Sequence, residues 1–226
     1  MTIRYSDIKP WGRSFEEYTR MFNLTAADLN QHILGCGDGP ASFNAEATDR
    51  GHKIVSLDPI YQFSAAHIRQ RIADNLEDVI NQTRANADKF IWDEFGSVEG
   101  LAQIRLATMD RFLDDFDKGK RQLRYVPGEL PTLPFDDQAF DLALCAHFLF
   151  LYTDNLSLKF HLKSVVELCR VSHEVRIFPL LDANANRSTY LDPVIRYTKS
   201  LGLKAEEETV PYEFQKGGNK MLRIIS

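Results

Sequence analysis

Three glycines alternate in Gly35-Cys36-Gly37-Asp38-Gly39-Pro40, behind an apolar run and ahead of a helix-like segment. Glycine lets the backbone turn tightly and come close to a ligand. The helix start that follows offers free N–H groups and a partial positive charge, where a carboxylate or phosphate can rest. A plain strand–helix turn is the simpler reading, but it requires fewer glycines. Asp58-Pro59 closes a second strand-like run, 19 residues after Gly39. A carboxylate there can accept both hydroxyls of a ribose in charge-assisted hydrogen bonds. A dinucleotide fingerprint, G-x-G-x-x-G/A, would put a small residue at position 40. Pro40 stands there instead, which counts against a nicotinamide cofactor.

A second group with chemical potential is Cys145-Ala146-His147-Phe148-Leu149-Phe150-Leu151-Tyr152. A histidine titrates near neutrality, so His147 is a candidate general base. Lining a ligand pocket and local hydrogen bonding are the other two roles open to it. Cys36, Cys145 and Cys169 show no metal-ligand spacing. Asp110, Asp114, Asp115 and Asp117 read as a solvated helix face rather than a metal site. Lys118, Lys120, Arg121 and Arg124 read as solvated loop rather than an RNA-binding patch.

Elements must position these groups. Ser14 and Glu17 form a capping box for a helix over 14–22. A strand runs through 31–34 into the glycines, a helix over 41–50 ends at Gly51, and a strand covers 52–57. Residues 64–120 are polar and mostly helical. Strand character returns at 123–126 and in the near-continuous apolar run 140–146, which suits burial on both faces. A helix over 156–171, a strand over 174–181 and a helix over 192–201 follow. The segments 210–214 and 221–225 flank Gly217-Gly218 as a hairpin. Alternating strands and helices imply an α/β fold with a mostly parallel sheet. In such folds ligands sit beyond the C-terminal strand ends. The polar and glycine clusters at 35–40, 58–61, 128–131, 145–152 and 179–184 all fall at such ends. The expectation is one domain over 1–226, with an N-terminal helical segment over 1–30 and a helical insertion over about 64–120.

With 226 residues, 44% of them hydrophobic, the chain is long enough to bury its own core without disulfides or metal. Three cysteines make no secreted disulfide framework. The net charge of −5 lacks the basic footprint that nucleic acid or an anionic membrane would select. The longest apolar stretch, 140–152, is broken by Asp141 and His147 and falls short of the ~20 residues of a membrane span. No apolar leader is visible near Met1. A cytoplasmic protein is the expectation.

The run ILGCGDG resembles the first motif of the class I S-adenosylmethionine (SAM)-dependent methyltransferases. Gly128-Glu129-Leu130-Pro131-Thr132-Leu133-Pro134-Phe135, followed by Phe140-Asp141-Leu142-Ala143-Leu144, is similar to a later motif of that family. The segments PWGRSFEEY, DPIYQF, ALCAHFLFLY, VRIFPLLD and EFQKGGNKMLR also resemble a narrower microbial group of methyltransferase-like proteins of unassigned substrate. The resemblance implies a Rossmann-like sandwich with a seven-stranded, mostly parallel sheet in the order 3-2-1-4-5-7-6 and strand seven antiparallel. It implies SAM as cofactor and a small-molecule methyl acceptor. Cofactor contacts would come from Gly35, Cys36, Gly37, Gly39, Asp58, Pro59, Glu129, Leu130, His147 and Phe148. Glu129 would meet the adenine amino group and Leu130 the adenine ring.

Many members carry an acid two residues before the first motif glycine, and Ile33 stands there in this chain. The methionine amine would then fall to backbone carbonyls of Gly35 or Cys145, or to an acid such as Glu17. The Asn/Asp-Pro-Pro-aromatic pattern of nucleic-acid amino-methylases is missing. The other reading is a non-catalytic SAM-binding or interaction protein on the same fold. Finally, Tyr5, Trp11, Phe15, Tyr18 and Phe22 cluster before the first strand. Phe15, Tyr18 and Phe22 share a helix face that either packs on the sheet alone or also covers the cofactor, with Tyr18 nearest the site.

Overall fold

The computed structural model describes residues 2–5 and 7–225. Its core is a sheet of seven strands: β1 (His32–Cys36), β2 (Lys53–Leu57), β3 (Tyr125–Val126), β4 (Phe140–Ala146), β5 (Ser172–Phe178), β6 (Lys204–Thr209) and β7 (Lys220–Ile225). The strand order is β3-β2-β1-β4-β5-β7-β6. Neighbours from β3 to β5 pair in parallel, while β7 runs antiparallel to both β5 and β6. This is the order that the resemblance implies.

Alternation of side chains along β1 and β4 feeds two apolar layers. Ile33, Leu142 and Leu144 point into a layer with Phe22, Phe43 and Phe178. Leu34, Ala143 and Cys145 point into the other, with Leu168, Val175 and Leu222. The register Ile33↔Leu142 and Leu34↔Ala143 keeps each set on its own face. Both sides of the central strands are therefore dry. All three cysteines are free and buried. Burial pushes the Cys36 thiol well up and the Cys145 and Cys169 thiols to about 12.

Helices cover both layers. The chain enters through α1 (Phe15–Met21), where Ser14 and Glu17 form the reciprocal capping box, and α2 (Ala26–Leu29). Helix α3 (Phe43–Asp49) follows the glycine loop. Between β2 and β3 run α4 (Ala65–Ala85) and α5 (Val98–Arg121), capped by Ser64 and Ser97. They bury a third apolar cluster of Tyr61, Ile68, Phe112, Phe116 and Tyr125. Helices α6 (Leu158–Val171) and α7 (Leu191–Ser200) complete the fold. Among the described residues, no helix is long and apolar enough to cross a membrane.

Two sequence expectations are corrected. The sixth strand is 204–209, not 210–214. Val210, Tyr212 and Phe214 alternate like a strand, and they are buried, but they pack against the α1 layer outside the sheet. Pro211 offers no donor to a ladder. The true strand, Lys-Ala-Glu-Glu-Glu-Thr, hides its character behind edge charges, with Glu207 and Glu208 paired to Arg187 and Arg223. The second correction concerns the acidic face of α5. Asp115 is buried, and its carboxylate accepts two bonds from Arg124, at 2.7 and 2.8 Å, and one from the Tyr125 hydroxyl. Arg124 and Asp115 therefore belong to the α5–β3 packing rather than to a solvated surface.

Candidate functional site

The three glycines do three different things. A Cβ on Gly35 would lie 1.9 Å from the Asp38 carboxylate, so the absence of a side chain makes room for that acid. Gly37 has φ +72°, donates its N–H to the Leu57 carbonyl at 2.8 Å, and would touch the Phe148 ring if it carried a Cβ. Gly39, at φ +54°, donates to Asp58 at 2.9 Å. Only glycine takes the left-handed backbone at 37 and 39 without strain. The Asp38 carboxylate accepts from the Tyr18 hydroxyl at 2.7 Å and from the Ser56 hydroxyl at 2.5 Å. Burial pushes its pKa to about 7, although both hydroxyls favour the charged form.

Asp58 closes β2. Its two oxygens accept from the N–H groups of Gly39 and Ile60, each at 2.9 Å. One lone pair per oxygen is thereby used and the carboxylate is held in a fixed plane. Burial pushes its pKa to about 6. The Tyr61 hydroxyl donates to the Gly39 carbonyl at 2.7 Å, lacing this turn to the glycine loop. After β3, Glu129 is exposed on the rim and Leu130 is buried beside it.

His147 follows β4 with φ +50° and donates its backbone N–H to the Phe178 carbonyl at 2.6 Å. Its Nδ1 is buried without a partner among the described residues. Burial, with Arg13 and Arg105 nearby, pushes its pKa well below the usual histidine range. The ring is neutral at physiological pH.

These groups surround one cleft of about 360 Å³, within the size range of small-molecule sites. Cys36, Gly37, Gly39, Asp58, Pro59, Glu129, Leu130, His147 and Phe148 all line it. Gly35 does not, because it lies behind Asp38. Glu17 is also removed from the cleft. It is buried under two bonds from Arg105 and accepts from the Tyr212 hydroxyl at 2.9 Å. The paired Arg105 holds the Glu17 carboxyl down at about 2 against the opposing effect of burial. Glu17 is therefore not free to bind a methionine amine. Asp38, within the glycine loop, is an acid that does line the cleft.

Tyr18 lines the cleft, and so does the extended strap before α1, through Ile3, Tyr5, Ile8, Lys9 and Trp11. The strap is clipped on both sides. The Asn184 side chain bonds both the N–H and the carbonyl of Ile3, at 2.7 and 3.1 Å. The Tyr152 hydroxyl accepts from Lys9 N–H at 2.9 Å, and Lys9 pairs with Asp78 of α4 at 3.1 Å. Asp38, Arg13 and Gln215 also face the cleft. Asp38 lies inside the glycine run without being singled out by it, and nothing local marks Arg13 or Gln215.

No family model matches the chain. Over 226 residues it is 35% identical to an uncharacterized protein of Methanocaldococcus jannaschii, covering 98% of this chain and 99% of that one. The chain belongs to that protein's family. Among solved structures it is similar to a TehB-like SAM-dependent methyltransferase from Corynebacterium glutamicum, at 13% identity, with 87% of this chain and 80% of that chain covered and a TM-score of 0.45. It is also similar to a SAM-dependent methyltransferase from Aquifex aeolicus, at 12% identity, with 93% and 87% covered and a TM-score of 0.43. The strand order described above, with its one antiparallel strand, is the order that the resemblance to class I methyltransferases implies. The relative from Methanocaldococcus jannaschii is itself uncharacterized and names no substrate.

Proposed function

We propose that this chain is a SAM-dependent methyltransferase acting on a small molecule. The observation that carries this reading is the position of Asp58, held by Gly39 and Ile60 at the end of β2 on the cleft that the glycine loop opens. In this reading the free lone pairs of Asp58 accept the ribose hydroxyls. Glu129 meets the adenine amino group, and Leu130 packs on the ring. The backbone at Gly37 and Gly39 approaches the methionine part, and Asp38 offers the amine a carboxylate in place of the family acid that Ile33 replaces. His147 and Phe148 stand where cofactor and acceptor meet.

Methyl transfer is an in-line displacement. SAM held in this cleft would supply an electrophilic methyl group, whose transfer to the acceptor's lone pair would break the carbon–sulfur bond and leave a neutral thioether. The chain contributes proximity and alignment at roughly 3–3.5 Å between reacting atoms, while the strap excludes water. Burial lowers the pKa of His147 and so weakens it as a general base, while its neutral ring can line the cleft and hydrogen-bond a ligand. Titration calorimetry tests the cofactor assignment. SAM and S-adenosylhomocysteine should bind and NAD should not. No heat with either sulfur compound defeats the proposal. The non-catalytic reading draws on Ile33 and on the commitment of Glu17 to Arg105. Binding without methyl transfer to any acceptor in a panel would select it.

A further inference from the structure

Part of the cleft wall is apolar. Ile3, Val79, Leu101, Phe90 and Phe214 line it, and all but Val79 belong to one buried apolar cluster. Phe90 stacks on Phe214 with ring centroids 4.7 Å apart, and it bridges Gln215 through the backbone. Two polar groups interrupt this apolar wall, and both are unfinished.

The first is Arg13. Its guanidinium lines the cleft and, among the described residues, donates only to the nearby carbonyl of Trp11. Its Nε is buried without a partner, and among the described residues no carboxylate lies within ion-pair distance. Its strongest electrostatic neighbours are Arg105, Tyr212, Glu17 and Tyr18, not Asp58 or Glu129. Glu17 cannot serve it, since Arg105 and Tyr212 occupy that carboxylate. An arginine stays charged, and a charge taken out of water without a counter-ion is costly. The second group is Gln215. Its Nε2 donates to the carbonyls of Asp182 and Ala183, at 3.2 and 3.4 Å, which fixes the orientation of the amide. Its Oε1 is left buried with no donor.

We propose that Arg13 is the anchor for a carboxylate on the methyl acceptor, so the acceptor is a small acid with an apolar body and a hydrogen-bond donor for Gln215. This rests on the methyltransferase reading above. A carboxylate supplies the missing counter-ion, and the two spare nitrogens of the guanidinium fork suit its geometry. The apolar walls take the body of the acceptor, and an N–H or O–H on it completes Gln215. The cofactor's own methionine carboxylate has the same chemistry, and the test below separates the two sources.

The test uses paired carboxylates and their primary amides, from acetate and acetamide to indole-3-acetate and indole-3-acetamide. Saturation-transfer NMR measures their binding to the protein saturated with S-adenosylhomocysteine. At least one acid should bind about tenfold more tightly than its amide, as expected for a charge-assisted hydrogen bond. Arg13→Gln should erase that preference and Arg13→Lys should keep most of it. Affinity for S-adenosylhomocysteine should stay within about threefold in both variants. If no acid outperforms its amide, the proposal is wrong. If Arg13→Gln instead costs about tenfold or more in S-adenosylhomocysteine affinity, the guanidinium serves the cofactor, and the proposal is equally wrong. Failure of the wild-type protein to bind S-adenosylhomocysteine at all defeats the methyltransferase reading alone. The acid–amide comparison on the ligand-free protein then still decides the role of Arg13.

Discussion

The carboxylate of Asp58 and the backbone amide of Gly39 meet at 2.9 Å across 19 residues of sequence. One hydrogen bond thus ties the end of β2 to the glycine loop and orients both toward the same cleft. Asp58→Ala removes this tie and the proposed ribose acceptor together. We expect S-adenosylhomocysteine affinity to fall by about 1.5–3 kcal/mol, as for bonds to a charged group. Calorimetry on the variant decides it, and unchanged affinity would remove Asp58 from the site.

Gly35→Ala should be severe for a reason unrelated to ligand contact. The added carbon would overlap the Asp38 carboxylate at 1.9 Å, and that carboxylate cannot retreat without losing Tyr18 and Ser56. The expected result is a loss of several degrees in melting temperature, larger than that of a matched Gly→Ala change at the open turn of Gly217. A thermal melt equal to wild type would mean that Asp38 is seated differently.

Asp38 and Asp58 also set a pH dependence. Burial raises them from 3.8 to about 7 and about 6. Between about pH 4 and pH 7 the folded protein therefore holds protons that the unfolded chain has released. The stability these groups contribute is fully present below about pH 4 and is lost as pH rises through 6 and 7. Asp38→Asn lacks one of the two titrations. The stability of wild type relative to this variant should decline from about pH 4 to about pH 7, read from urea melts at several pH values. A constant difference would contradict the assignment.

Glu17 and Arg105 form the buried ion pair that joins α1 to α5, with Arg105 fully buried. Removing one partner strands the other charge. Glu17→Gln should cost about 3–5 kcal/mol of unfolding free energy, measured by denaturant titration. A cost below about 1 kcal/mol, the level of an exposed pair, would show that water reaches Arg105.

Removing residues 1–10 should leave α1 and its buried Phe15, Tyr18 and Met21 in place and keep cooperative unfolding. It should nonetheless weaken S-adenosylhomocysteine binding by about tenfold or more, since the strap lines the cleft. A truncated, folded protein with wild-type affinity would reduce the strap to packing.

The sheet was legible because its strands announce themselves. The apolar run of β4, the glycines after β1 and the acid after β2 each follow from a local physical demand. The sixth strand was not, because an edge strand need not be apolar, while Val210, Tyr212 and Phe214 imitate one from outside the sheet. The placing of Asp58 at a strand end after the glycine loop could be read from spacing, whereas its hydrogen bond to Gly39 could not. Arg13 and Gln215 do not, because each is defined by a missing partner, and absence has no local signature. Glu17 is the instructive case. Its capping role could be read three residues from Ser14, whereas its pairing with Arg105 spans 88 residues.

The three buried cysteines give the molecule an internal clock. Thiols held in the neutral form by burial do not attack disulfides, so a reagent such as an aromatic disulfide must wait for the protein to open. Cys169, on α6, reports the release of that helix from the sheet. Cys36 and Cys145 sit at the ends of β1 and β4, beneath the glycine loop and His147. Their labelling rates count the excursions of the cleft floor. A ligand that occupies the cleft should slow Cys36 and Cys145 while leaving Cys169 at its own pace, so occupancy can be followed without knowing the chemistry of the ligand.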